Sequence, residues 1–142
     1  MQELDIYIDG ASKGNPGPSG IGVIICRSGE VIRNLSVFIG DTTNNVAEYT
    51  ALIYALQEAL LLRADILKIK TDSQLLARQL KKDYKVKSLK LLSLYSQAEH
   101  LLKGFKRVFI ENIPREMNKG ADRLATEAIR KRLKGQVGCG CS

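Results

Sequence analysis

The chain has 142 residues, 44% of them hydrophobic, and carries a formal net charge of +7. This length fits one domain with its own core, and no apolar run approaches the roughly 18 residues of a membrane span. We expect a domain over residues 1–133 and a Gly- and Cys-containing tail over residues 134–142. The segment Met1 to Asp5 lacks the basic and apolar regions of a signal peptide, so we expect a cytoplasmic protein, and the positive charge favours a polyanionic partner.

The elements follow from hydrophobic periodicity. Leu4 to Asp9 alternates apolar and polar residues, which predicts a half-buried strand, and the Gly- and Pro-rich stretch 10–20 predicts a loop. Strands over 21–26 and 31–39 complete an antiparallel meander. The remaining predicted elements are a helix over 46–62, a strand over 66–71, helices over 73–82 and 88–103, a strand over 105–113 and a helix over 118–133. The order βββαβααβα predicts an α/β (mixed α+β) fold, in which helices pack on a five-stranded mixed sheet.

Cysteine usage argues against a disulfide framework. The chain holds three cysteines: Cys26, Cys139 and Cys141. A four-ligand zinc site would need all three together with His100, the single histidine, so we expect free thiols. A disulfide between the tail and Cys26 stays open.

Four carboxylates lie at predicted strand ends or helix starts: Asp9, Glu48, Asp72 and Asp122. Such ends can converge at one edge of a sheet, where four acids would repel each other unless a cation binds. Hard Mg²⁺ prefers oxygen ligands, and a pair of ions can clamp the attacking and leaving oxygens of a phosphodiester. No Cys or His clusters with these acids in the sequence, which disfavours zinc.

Each carboxylate also has a simpler interpretation. Glu48 follows Asn45 by three residues, as in a capping box. Asp9 can start a turn, Asp72 can cap a helix, and Asp122 can be favoured by a helix dipole. These interpretations stay open one by one, but together they require a coincidence that a shared metal site does not.

The segments that carry these acids resemble the type 1 ribonuclease H family over about residues 3–132. Four motifs occur in the family's order: Asp9 to Gly17, Thr42 to Glu48, Thr71 to Gln74, and Asn118 to Ala125. The resemblance implies a ribonuclease H-like fold and hydrolysis of the RNA strand of RNA–DNA hybrids, with 5′-phosphate and 3′-hydroxyl products. It implies two Mg²⁺ ions per site, with Mn²⁺ as a substitute. We expect a monomer that needs no obligate protein partner.

The resemblance also implies roles for individual residues. Asp9 would bridge both ions, Asp122 would join it on the ion that activates water, and Glu48 and Asp72 would hold the ion near the leaving oxygen. Residues that would contact the hybrid are Gly14, Asn15, Thr43, Asn44, Asn45 and Gln74. Amides suit sugar and base edges, and Thr43 at a helix start suits a DNA phosphate.

Two departures from the family pattern stand out. Many members carry a His in a loop before the last Asp, whereas here Arg115 occupies that loop and His100 lies in a predicted helix, where we interpret it as structural. Arg115 can contact a phosphate but cannot act as a general base. The basic protrusion of some members is also missing. A short lysine-rich bend can substitute for it or can simply be solvated; its candidate hybrid-binding residues are Lys81, Lys82, Lys85 and Lys87.

Three alternatives to this function stay open. A binding module with this fold would hold nucleic acid without cutting it, although such a module would usually lose a carboxylate. Another nuclease on the same fold, such as a junction resolvase, would lack the Gly-Asn-Pro-Gly loop at 14–17. Finally, the enzyme could also cut RNA–RNA duplexes.

Overall fold

A computed structural model describes residues 2–139 of the chain, with side chains for residues 2–135. The strands and helices are β1 (Glu3–Ser12), β2 (Gly17–Arg27), β3 (Glu30–Thr42), α1 (Asn44–Leu61), β4 (Ile66–Thr71), α2 (Gln74–Leu80), α3 (Leu89–Leu102), β5 (Arg107–Asn112) and α4 (Lys119–Cys139). A short 3-10 helix, Arg115–Met117, precedes α4. The predicted element order and fold class are confirmed.

The five strands form one sheet in the order β3-β2-β1-β4-β5. β2 pairs antiparallel with β1 and with β3, as the predicted meander requires, while β4 pairs parallel with β1 and with β5. Because β1 and β4 are parallel neighbours, their carboxyl ends meet at the same edge of the sheet. In this register Ile8 pairs with Thr71, so the residues that follow them, Asp9 and Asp72, lie side by side.

Helices cover both faces of the sheet. α1 packs against β1 and β2 through its apolar stripe, and Leu52 and Leu56 are fully buried there beside Ile6 and Val23. α4 packs against the opposite face, mainly on β2. The periodicity of α1 predicted this stripe, because apolar residues three and four apart share one face of a helix.

The predicted loop over 10–20 is wrong in extent. β1 continues to Ser12 and β2 begins at Gly17, so only residues 13–16 connect the strands. Two glycines in this stretch, Gly10 and Gly20, allow close packing of helices on the sheet. A Cβ on Gly10 would collide with the backbone of α1 at Ala47, and a Cβ on Gly20 would collide with the Ala125 carbonyl of α4. Glycine composition alone does not distinguish a loop from a strand that a helix approaches closely.

Gly22→Ala is expected to destabilise the domain by about 3 kcal/mol, because the added Cβ would meet the Ala121 carbonyl and the Ala125 nitrogen of α4. Gly135→Ala, also a change that adds one methyl, meets no atom of the described residues within 4 Å. It is expected to stabilise α4 by roughly 0.5–1 kcal/mol through helix propensity. Urea unfolding of both variants measures the difference. Equal midpoints would contradict the close approach of α4 to β2.

The last helix continues beyond its predicted end at residue 133 and reaches Cys139. The thiols of Cys139 and Cys141 lie outside the described side chains, so their predicted free state stays a prediction. Cys26 carries a free thiol and is half-buried on β2. His100 lies on α3, as expected, and is exposed. Across the described residues, the helices are all too short or too polar to cross a membrane.

Candidate active site

Three of the four predicted acids converge at the carboxyl edge of the sheet. Each of Asp9, Glu48 and Asp72 offers a carboxylate oxygen, and these oxygens lie within 4.8 Å of one another. Asp9 belongs to β1, Glu48 to the second turn of α1, and Asp72 follows β4 directly. Asp9 and Glu48 are buried and Asp72 is half-buried.

The capping interpretation of Glu48 is wrong. Thr43, and not Asn45, is the N-cap of α1, and its hydroxyl accepts a hydrogen bond from the Val46 N–H. The Glu48 carboxylate instead accepts a hydrogen bond from the Gly10 N–H of β1. This contact turns the side chain inward, toward the end of the strand that carries Asp9.

The capping interpretation of Asp72 is wrong too. Ser73 caps α2, and its hydroxyl accepts from the Leu76 N–H at 3.1 Å. The Asp72 carboxylate is thus not used to satisfy the helix terminus. Its oxygen Oδ2 instead accepts a hydrogen bond from Asn118 Nδ2 at 3.2 Å.

Burial and mutual repulsion make two of these acids hard to ionise. Burial, followed by the charges of Glu48, Asp72 and Asp122, raises the pKa of Asp9 to about 9. Burial is also the main reason that the pKa of Glu48 rises to about 8, although the Gly10 N–H partly offsets it. A bound cation would relieve this repulsion and stabilise the ionised forms.

The acids open onto a cavity of about 390 Å³. Asp122, in the first turn of α4, lines this cavity and is close enough to Asp9 to raise its pKa. Arg115, in the 3-10 helix before α4, lines it as well. The other lining residues are Gly10, Ala11, Ser12, Asn44, Asn45 and Ser73. The predicted acids and the predicted loop arginine therefore share one cavity.

Several predicted hybrid-binding residues lie at its rim. Asn44 and Asn45 line the cavity, and the Asn44 N–H donates to Asn15 Oδ1 at 2.9 Å. Gly14 lies in the same turn as Asn15 and has a φ of +90°, which favours glycine. Thr43 adjoins them as the N-cap of α1. The turn between β1 and β2 and the start of α1 thus form one polar surface.

The other predicted contacts lie apart from this cavity. Gln74 is the exposed first residue of α2, and Lys82 lies 3.9 Å from Glu99 of α3. The remaining exposed lysines of the basic bend are Lys81, Lys85 and Lys87. Neither Gln74 nor these lysines are among the described residues that line the cavity.

Asn118 belongs to the site but was not singled out from the sequence. It is 1% exposed, and its Nδ2 donates to the Ile8 carbonyl at 2.8 Å as well as to Asp72. An Asn before a helix ordinarily indicates an N-cap. The sequence therefore predicts a polar role for Asn118, but it does not predict that the side chain points inward to the site.

Comparisons with known proteins show which sequences this chain resembles. The family model described as "Reverse transcriptase-like" matches residues 7–128. The chain is 40% identical over 124 residues to Ribonuclease HI of Halobacterium salinarum, which covers 87% of this chain and 62% of that protein. It is 42% identical over 126 residues to the Bifunctional protein Rv2228c of Mycobacterium tuberculosis. That match covers 87% of this chain and 35% of that protein. The chain thus spans about a third of the length of that relative.

Solved structures share the whole fold. RNase H1 from Halobacterium salinarum superposes with a TM-score of 0.89 at 38% identity, over 91% of this chain and 98% of that one. LC11-RNase H1, solved in complex with RNA/DNA hybrid, superposes with a TM-score of 0.87 at 41% identity, over 92% and 99% of the two chains. The family-model match over residues 7–128 spans all four predicted acids.

Proposed function

Because this chain belongs to the ribonuclease H family, we propose that it is an endonuclease that hydrolyses the RNA strand of RNA–DNA hybrids. The products would carry 5′-phosphate and 3′-hydroxyl ends. The observation that carries the proposal is the cluster of three carboxylate oxygens within 4.8 Å at the base of a polar cavity. The hybrid in the complex of LC11-RNase H1, a 41% identical protein, supports the substrate class.

The donor set fits Mg²⁺, or Mn²⁺ in its place. All the ligand atoms of the cluster are carboxylate oxygens, and among the described residues no His or Cys joins it. Asp9, Glu48 and Asp72 would hold two ions together with Asp122. When bound, the ions would supply an activated water and stabilise charge on the attacking and leaving oxygens.

The chain's own residues would orient the hybrid around this site. Glu48 is held inward by the Gly10 N–H, and its carboxylate would also meet a ribose 2′-OH, the group that distinguishes RNA from DNA. Asn44 and Asn45 at the rim, with Asn15 and Gly14 beside them, would contact the minor groove. Thr43 and the start of α1 would hold a DNA phosphate.

The proposal is tested by incubating the protein with a labelled RNA–DNA hybrid and either Mg²⁺ or Mn²⁺, beside RNA–RNA and DNA–DNA duplexes. The expected result is metal-dependent cleavage of the RNA strand of the hybrid, with 5′-phosphate ends. Comparable cleavage of the RNA–RNA duplex would indicate a broader ribonuclease. Tight hybrid binding without cleavage would instead indicate a binding module. Light scattering of the same sample tests the proposed monomer.

Arg115→Ala is expected to lower kcat by about 100-fold, because the guanidinium in the cavity would stabilise charge that develops on the scissile phosphate. Arg107→Ala is the matched control, since Arg107 is exposed at the opposite end of β5. Steady-state kinetics on the hybrid measures both variants. If Arg115→Ala retains the control's kcat, the loop arginine is a solvated residue.

Lys85→Gln is expected to weaken hybrid binding and to lower the slope of log K against log salt by about one, as the loss of one phosphate contact would. Lys103→Gln removes the same charge just after α3 and provides the control. The affinity for the hybrid is measured in EDTA at salt concentrations from about 50 to about 200 mM. An unchanged slope for Lys85→Gln would indicate that the basic bend is solvated and does not contact the hybrid.

A further inference from the structure

Asn118 connects the elements that carry the acids. It stands immediately before α4, and its buried side chain reaches across to two strands. Nδ2 lies 2.8 Å from the carbonyl of Ile8, the residue before Asp9, and 3.2 Å from Oδ2 of Asp72. A single amide group thus contacts β1, the end of β4 and the start of α4.

The orientation of this amide follows from its neighbours. Both groups near Nδ2, a carbonyl and a carboxylate, are hydrogen-bond acceptors. A flipped amide would place its own oxygen against two acceptors, so the nitrogen must face them. A carboxylate at this position would repel Asp72 for the same reason.

An ordinary capping role does not account for the side chain. The backbone carbonyl of Asn118 accepts the first bond of the helix, from the Asp122 N–H at 3.1 Å, as it would before any helix. Oδ1 is buried and has no hydrogen-bond partner among the described residues. A capping Asn would use this oxygen for an N–H of the first turn. The amide is therefore directed at the acids and not at the helix terminus.

We propose that Asn118 is a positioning residue of the metal site, whose amide holds the Asp72 carboxylate and the part of β1 beside Asp9 in register with the first turn of α4. This inference rests on the proposed function, because it gives Asp72 the role of a metal ligand. Hydrogen bonds to a ligating carboxylate fix its direction, and their loss typically costs 10- to 100-fold in metal affinity or activity. Asn118 would thereby set the affinity of the site for Mg²⁺ without touching the hybrid.

Asn112 provides a matched control within the chain. Its Nδ2 donates to the carbonyl of Thr71, the residue before Asp72, at 3.1 Å. The two asparagines thus make the same bond to the residue that precedes an acid of the site. Only Asn118 also donates to a carboxylate.

The experiment compares Asn118→Ala, Asn118→Ser and Asn112→Ala with the wild-type protein. Serine is included because its hydroxyl can cap the start of α4, so that this variant can retain the fold if alanine does not. Calorimetry measures the Kd for Mg²⁺, kinetics measures the Mg²⁺ concentration for half-maximal cleavage, and hybrid affinity is measured in EDTA. Assays run well below the lowest unfolding temperature.

We expect both Asn118 variants to bind Mg²⁺ about 10-fold more weakly and to need correspondingly more Mg²⁺ for half-maximal cleavage, with unchanged hybrid affinity. Excess Mg²⁺ should restore much of the lost kcat, whereas Asn112→Ala should match the wild type throughout. If the Asn118 variants lose only thermal stability and keep the wild-type Kd for Mg²⁺, the positioning role is overturned. If the wild type itself neither binds Mg²⁺ nor cleaves the hybrid, the proposed function fails instead.

Discussion

Asp9→Asn and Glu48→Gln are each expected to lower the rate of Mg²⁺-dependent cleavage of an RNA–DNA hybrid by at least ~10³-fold. Each change removes one proposed metal ligand from a cluster of three carboxylates whose oxygens lie within 4.8 Å. A metal ion supplies several kcal/mol of charge stabilisation in a phosphodiester displacement, and each 1.36 kcal/mol corresponds to a factor of about ten in rate. Single-turnover cleavage of a labelled hybrid measures the loss.

Glu30→Gln is the matched control for this experiment. It makes the same change from acid to amide at an exposed position, the first residue of β3. Its cleavage rate should stay within about twofold of the wild type, since surface substitutions rarely matter. Hybrid affinity in EDTA should be retained by all three variants. If either acid variant cleaves at the rate of Glu30→Gln, the cluster is not the catalytic site.

The metal-free protein is expected to lose stability as the pH rises from about 4 to about 9. Asp9 has a pKa of about 9 in the folded protein, far above the value of roughly 3.9 in an unfolded chain. Between these values the folded state binds more protons than the unfolded state, so the free energy of unfolding falls with rising pH. The stabilisation is complete when the pH is below the pKa of Asp9 in the unfolded chain. It is lost as the pH rises through the pKa of Asp9 in the folded protein. Glu48, with a pKa of about 8, acts in the same direction.

Asp9→Asn should therefore raise the Tm of the metal-free protein at pH 8, because it removes a buried acid from a repulsive cluster. A gain of ~2 kcal/mol would correspond to roughly 5–10 °C in a domain of this size. Mg²⁺ should raise the Tm of the wild type, because it binds only the folded state, and should have little effect on the variant. The measurement is thermal unfolding by circular dichroism in EDTA and in Mg²⁺, from pH 5 to pH 9.

Glu30→Gln again serves as the control, with an expected change in Tm of at most about 2 °C. A metal-free Asp9→Asn protein that melts at or below the wild-type temperature at pH 8 would contradict the repulsion argument. So would a wild-type Tm that does not change with pH in EDTA. The stability readout is independent of the cleavage assay, and it therefore tests the electrostatics of the cluster even in a protein that does not cut.

The sequence alone determined the order of the elements and the class of chemistry. Alternation in β1 and the apolar stripe of α1 are local patterns, because each strand or helix presents one face to the same core. The same local patterns predicted that Asp9, Glu48 and Asp72 lie near the ends of strands or the start of a helix. Four acids in the order of a known family then predicted a metal site at one sheet edge.

The tertiary structure decided which groups these residues contact. Glu48 could have capped α1, and it bonds Gly10 instead, 38 residues away. Gly10 and Gly20, which were predicted to lie in a loop, lie in strands that helices from elsewhere in the chain approach closely.

Asn118 shows the same limit of local patterns. It could have capped α4, but it turns inward to the carbonyl of Ile8, 110 residues away. Local patterns reveal which face of an element is buried, but they do not reveal which distant backbone group will meet a polar side chain there. That choice depends on how the sheet brings β1, β4 and α4 together, and only the folded chain makes it.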